Sequence, residues 1–147
     1  MSEPLLFFVP GTPAPGGSKT GFYNKNLKRV MMTPACKRTK PWMSLVSGTV
    51  RELYDGEPLT GPLCVVFTFR LLRPKGHYGS GKNAGIIKKQ YANAFPTGKP
   101  DALKLARSTE DALKGILYND DSQNVSITSN KIYCIKDPGV YITIYQI

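Results

Sequence analysis

Half of the ten acidic residues in this chain fall between Lys99 and Gln123: Asp101, Glu110, Asp111, Asp120 and Asp121. The chain as a whole is basic, with twenty lysines and arginines and a net charge of +10. Carboxylates crowded into one segment repel and raise each other's pKa, so a bound cation is their natural companion. Carboxylates holding Mg²⁺ can orient a water, neutralise phosphate charge and stabilise a leaving alkoxide, which is what phosphodiester hydrolysis requires. The same charges also suit a solvated helix face with i,i+4 pairs such as Glu110–Lys114.

The element that positions these groups reads as one amphipathic helix with an acidic loop at each end. Pro100 biases Lys99 towards extended geometry, so the helix starts after it, with Asp101 as N-cap or first-turn residue. Ala102, Leu105, Ala106, Thr109, Ala112, Leu113 and Ile116 recur at helical spacing as a mostly apolar stripe. Gly115 falls where a left-handed C-terminal residue is expected. Lys104, Arg107, Ser108, Glu110, Asp111 and Lys114 form the opposite face. Leu103 lies among those charges, at a position where patterning asks for a polar residue.

The segment resembles the signature of the RusA family of Holliday junction resolvases. Lys99-Pro100-Asp101, Leu105, Arg107, Asp111-Ala112-Leu113, Gly115 and Asp120-Asp121-Ser122-Gln123 match in order and nearly in spacing. Arg73-Pro74-Lys75, His77-Tyr78-Gly79 and Pro96 add to the likeness, which covers residues 62–135. It implies a Mg²⁺-dependent, structure-specific endodeoxyribonuclease that resolves four-way or other branched DNA junctions in recombination and repair. It also implies a homodimer, since a four-way junction has two-fold symmetry and two strands to cut. Carried across, Asp101 and Asp121 are metal ligands, Asp120 is an adjacent candidate, and Arg107 is the cation at the family's lysine position. The likeness breaks at residue 103, where the family's second aspartate is Leu103. Either catalysis is lost and a branched-DNA binder remains, or another carboxylate compensates. Glu110 is the candidate: seven residues on, it points within about 20° of Leu103 and sits roughly 10 Å further along the axis. Pairing with Lys114 or Arg107 is its competing role.

A length of 147 residues suits a single domain, 1–147, able to bury a core unaided. No apolar run approaches the roughly 20 residues of a membrane span, and the first residues lack the pattern of a secretory leader. Cys36, Cys64 and Cys134 form neither a disulfide framework nor a metal-ligand spacing, which favours free thiols in a cytoplasmic setting. The net charge points to polyanions, nucleic acid before membrane. The Gly11–Gly21 stretch lacks phosphate-loop spacing, so no nucleotide cofactor is expected; it reads as a flexible loop bringing Lys19 near a phosphate backbone. Lys25, Lys28, Arg29, Lys37, Arg38 and Lys40 are interleaved with Phe22, Tyr23 and Trp42. That composition suits DNA contact and base stacking, or a basic surface with its aromatics in the core. From Arg73 to Gly98 there is no regular period and no acid. Arg73, Lys75, His77, Lys82, Lys88, Lys89 and Lys99 make it and its border a candidate DNA-binding loop that orders on contact. His77 reads as a phosphate contact or a loop anchor.

Strands are expected at Leu5–Val9 and Leu63–Leu72, and a hairpin from Val125–Ile135 and Val140–Ile147 turning at Asp137-Pro138-Gly139. A helix is expected from Trp42 to Tyr54, with Leu45, Val46, Val50 and Leu53 inward. The result is an α+β fold, a mixed sheet with two main helices on one face.

Overall fold

The computed structural model describes residues 3–17, 19–34 and 36–147, with residues 19, 20, 33 and 34 as backbone alone. Its central strand, β4 (Leu63–Leu72), has the bounds its sequence predicts. Val65, Phe67 and Phe69 are fully buried on one face while Val66, Thr68 and Arg70 are partly exposed on the other. That period of two lets a β-branched and aromatic run cover one side of a sheet. β1 (Leu5–Pro10), β5 (Asn124–Cys134) and β6 (Gly139–Gln146) complete a four-stranded sheet in the order β1-β6-β4-β5. β6 runs antiparallel to both β1 and β4, and β5 runs parallel to β4.

The expected β5–β6 hairpin therefore does not form, because β4 lies between the two strands. The connection through Lys136, Asp137 and Pro138 crosses the end of β4, where Arg70 donates to the Lys136 carbonyl at 3.0 Å. Asp137 takes φ 59° there. Parallel pairing of β4 with β5 requires a crossover, and the second helix is that crossover.

Both helices cover the face carrying Val65, Phe67 and Phe69. α1 spans Thr39–Leu53, three residues earlier than expected, and buries Thr39, Trp42, Val46 and Val50. Leu45 and Leu53, expected inward, are exposed. Trp42 takes the inward place, and its indole N–H donates to Thr109 Oγ1 at 3.1 Å. Ser47 Oγ donates to the Ala112 carbonyl at 2.8 Å, a second bond to the neighbouring helix.

α2 (Ala102–Leu113) follows the expected stripe: Leu105, Ala106, Thr109, Ala112 and Leu113 are buried, as is Ile116 beyond its end. Each fully buried leucine contributes about 1.5–3 kcal/mol relative to exposure. Ser108, placed on the polar face by pattern, is buried instead. A strap from Ala14 to Gly17 covers it. Ser108 Oγ donates to the Ala14 carbonyl at 2.6 Å, the Gly16 N–H donates to the Lys104 carbonyl at 2.9 Å, and Thr39 Oγ1 donates to the Pro15 carbonyl at 2.6 Å. Gly16 allows this approach, since a Cβ there would lie 2.9 Å from Ser108 Cβ.

The strap leads into a hairpin that the sequence reading takes as loop and basic cluster. β2 (Lys19–Asn24) and β3 (Arg29–Pro34) pair as a separate two-stranded sheet. Asn24 Oδ1 accepts from the N–H groups of Asn26 and Leu27, both at 3.0 Å, closing the turn. The side chain of Lys19 and all of Ser18 lie outside the described residues, so the expected phosphate contact of Lys19 does too. Of the three aromatics in this basic stretch, Trp42 is core and Phe22 and Tyr23 are exposed.

The Arg73–Gly98 stretch contains three short 3-10 turns, Lys75–His77, Gly81–Asn83 and Lys89–Tyr91. His77 stacks on Tyr91 with ring centroids 4.2 Å apart, and Arg73 Nη1 donates to the Tyr91 carbonyl at 2.6 Å. Cys36, Cys64 and Cys134 are all free. Among the described residues, no helix is long and apolar enough to cross a membrane.

Candidate metal centre

The site lies where the last turn of α2 meets the chain returning from it. Gly115, at φ 83°, ends the helix as its position predicts. Ile116, Leu117 and Tyr118 then turn into the core. The Tyr118 hydroxyl donates to the Glu110 carbonyl at 2.6 Å, fixing the return loop to the helix it left. Burial pushes the Tyr118 pKa up, so it acts as a neutral donor.

Next comes the 3-10 turn Asp121–Gln123, and its neighbours separate the roles of the two aspartates. Asp120 caps the turn. Its Oδ1 accepts from the Ser122 N–H at 3.0 Å, and its other oxygen lies 3.8 Å from Lys114 Nζ. The Ser122 hydrogen bond, above all, holds the Asp120 carboxyl below the usual range. Gln123 clamps the loop with both ends of its amide. Oε1 accepts from the N–H groups of Asn119 at 3.0 Å and Asp120 at 3.1 Å. Nε2 donates to the carbonyls of Leu59 at 2.9 Å and Gly61 at 3.1 Å.

The clamp leaves Asp121 beside the helix. Glu110, Asp111 and Asp121 each present one carboxylate oxygen, and the three oxygens lie within 4.8 Å of one another. Glu110 is half-buried and accepts from Asn124 Nδ2 at 2.9 Å. Burial pushes its pKa up; the Asn124 hydrogen bond opposes this, the Asp121 and Asp111 charges add to it, and the Arg107 charge opposes it. Asn124 Oδ1 is buried without a protein partner. Three carboxylate oxygens this close are the hard donor set Mg²⁺ takes. Octahedral ligands about 2.1 Å from Mg²⁺ stand roughly 3–4 Å apart.

Of the residues singled out by sequence, Asp121 and Glu110 are thus brought together, and Asp111, one of the five clustered carboxylates but not among the expected ligands, joins them. Its signal was its place beside Glu110 in the helix's last turns. Asp101 stands at the other end of α2, roughly 13 Å along the axis from Glu110 at 1.5 Å per residue. It is exposed, 3.8 Å from Lys104 Nζ, and lines a cleft of about 440 Å³ with Arg38, Lys99 and Lys104. Arg107 lies between the two ends on the Glu110 side, its guanidinium against Gly17, where a Cβ would sit 2.5 Å from Nη1. Leu103 is 69% exposed on the same side. Lys75, Lys82, Lys88, Lys89 and Lys99 are exposed, whereas Arg73 and His77 are partly buried in the stack with Tyr91 and Tyr133.

Two comparisons bear on this arrangement. The chain is similar to the uncharacterized protein YqaN of Bacillus subtilis (strain 168), with 30% identity over 144 residues that cover 97% of this chain and 96% of the relative. The family model described as endodeoxyribonuclease RusA matches residues 10–145, which takes in the strap, both helices, β2 to β5 and all but the last residue of β6, with only Pro10 of β1. By that match, the chain belongs to the RusA endodeoxyribonuclease family.

Proposed function

We propose that this chain is a Mg²⁺-dependent endonuclease that cuts branched DNA, with four-way junctions as its substrate and recombination and repair as its setting. The observation that carries the reading is the convergence of Glu110, Asp111 and Asp121 within 4.8 Å in a protein of net charge +10. These three residues would hold the ion. When bound, Mg²⁺ neutralises phosphate charge and lowers the pKa of a coordinated water. Arg107, on the same side of α2, holds the scissile phosphate by charge. Asp120 keeps the Asp121 turn in shape through Ser122 and Lys114. Arg38, Lys99 and Lys104, lining the cleft at the start of α2, carry flanking phosphates. Lys75, Lys82, Lys88 and Lys89 extend that path, with Arg73 and His77 anchoring the loop that bears them. Two scissile strands call for two such sites, hence a homodimer. A cytoplasmic location suits this chemistry and the free thiols.

Leu103 supports a second reading, a junction binder without catalysis. Glu110 favours the first, because it stands on the same side of α2 and already belongs to the carboxylate cluster. The deciding experiment is a labelled four-way junction incubated with the purified chain while Mg²⁺ is titrated. The nuclease reading expects cleavage that Asp121→Asn abolishes without loss of junction binding. Binding without cleavage at any Mg²⁺ or Mn²⁺ concentration assigns the chain to the second reading.

A further inference from the structure

The β2–β3 hairpin stands apart from the core and displays apolar side chains with nothing upon them. Antiparallel register pairs Tyr23 with Val30 and Gly21 with Met32, so these four share one face of the ribbon. Tyr23 is 61%, Val30 63% and Met32 57% exposed. Gly21 provides the floor: a Cβ there would lie 3.2 Å from Met32 Sδ and 3.4 Å from Val30 Cγ1, so both side chains lean over the glycine. The tip carries Lys25, Lys28 and Arg29, and no acidic residue occurs between Glu3 and Glu52.

A flat aromatic and two aliphatic side chains on a cationic ribbon match one kind of ligand well, a polyanion with exposed apolar rings. Regular duplex DNA hides its base faces in the stack. A branch point interrupts stacking and leaves base faces available to an aromatic platform. Two residues before the hairpin, the chain is seated on α2. Gly16 and Gly17 seat the chain on α2 at Lys104, Arg107 and Ser108, within about two helical turns of Glu110 and Asp111.

We infer that the β2–β3 hairpin enters the branch point, with Tyr23, Val30 and Met32 as the seat for an unstacked base and Lys25, Lys28 and Arg29 on the adjoining phosphates. The inference rests on the junction-nuclease reading and adds the element that tells a junction from duplex. The metal centre, built on α2 and its return loop, has no part in that choice.

The test measures binding of the full chain, without divalent metal, to a four-way junction and to linear duplex of the same arm sequence, with 2-aminopurine beside the branch point. Tyr23→Ala is expected to weaken junction binding by about 5- to 150-fold, the range for losing one base–aromatic stack. Duplex binding stays within about two-fold, and Tyr23→Phe keeps junction affinity. Wild-type binding raises 2-aminopurine fluorescence, and Tyr23→Ala abolishes that rise. An unchanged junction-to-duplex ratio in the triple variant Tyr23→Ala/Val30→Ser/Met32→Ser overturns the inference while leaving the nuclease reading intact. If that ratio is unchanged and sedimentation shows the triple variant losing self-association, the patch joins two copies of the chain and the inference is also overturned. A wild-type chain that binds junction no better than duplex removes the junction reading itself, and the hairpin inference with it. Because these side chains lie outside the core, an unchanged thermal melt identifies each variant as folded.

Discussion

Gln123→Ala probes the centre without touching a ligand. The side chain makes four hydrogen bonds, accepting from Asn119 and Asp120 and donating to Leu59 and Gly61. At about 0.5–1.5 kcal/mol net for each bond, with exposed ends at the lower figure, the clamp contributes roughly 2–4 kcal/mol. That energy holds the Asp121 turn against the end of α2. Its loss lets Asp121 leave the cluster, and a ligand held by 2–3 kcal/mol less corresponds to a Mg²⁺ affinity weaker by about 30- to 150-fold. Calorimetric titration with Mg²⁺ measures the affinity, and a thermal melt measures the fold. The melt of a domain this size falls by roughly 2–4 °C per kcal/mol. Gln123→Glu is the sharper companion, since a carboxylate still accepts from Asn119 and Asp120 but faces the Leu59 and Gly61 carbonyls with no donor. If Gln123→Ala melts several degrees lower yet binds Mg²⁺ within about three-fold of wild type, the clamp stabilises the loop without positioning Asp121, and the reasoning fails.

Asp121→Asn abolishes detectable Mg²⁺ binding in the same titration, whereas Asp101→Asn, at the far end of α2, retains it; the reverse result moves the centre to the helix N-terminus. Burial raises the folded-state pKa of Glu110, so its contribution to stability is full below the unfolded glutamate value and is lost as pH rises through the raised value. The metal-free chain therefore loses stability across that window relative to Glu110→Gln, and Mg²⁺ restores it; parallel melting curves for the two proteins against pH refute this. Replacing Lys82, Lys88 and Lys89 together by glutamine lowers the slope of log K against log salt by up to about 2.7, three phosphate contacts at 0.9 each. An unchanged slope removes these lysines from the DNA path.

β4 and α2 are legible because each buries one face and exposes another, which writes a period of two or of 3.6 into the sequence. β2 and β3 carry no such record: Tyr23, Val30 and Met32 are as exposed as Lys25, so no alternation marks the strands. The sequence predicts a β5–β6 hairpin that does not form, because alternation shows that a segment is extended but not which segment lies beside it. Hydrophobicity alone points Leu45 and Leu53 inward, but both are exposed and the Trp42 indole takes the place between α1 and α2. At the metal centre, the family resemblance implies Asp121 as a ligand with Asp120 as an adjacent candidate. Choosing between them depends on the Ser122 N–H and Lys114, contacts that a linear pattern does not carry. Asp111 was hidden for a similar reason. A helix drawn as a wheel separates residues 110 and 111 by 100°, and only the returning turn reaches both.

The order of the sheet also bears on how the chain is made. β1 precedes the other described strands, yet its partner in the described sheet is β6, the last of them, with Leu5 opposite Ile144. β4 and β5, with α2 as their crossover, all precede β6 in the chain. Until Gly139–Gln146 emerge, β1 has no ladder and one edge of β4 stays open. A chain that lacks residues 139–146 thus leaves one edge of β4 bare, the kind of unpaired edge that recruits chaperones or seeds aggregation. Insertion of β6 closes both gaps in a single step. Trimming Gly139–Gln146 would therefore unseat the opening strand as well as the closing one.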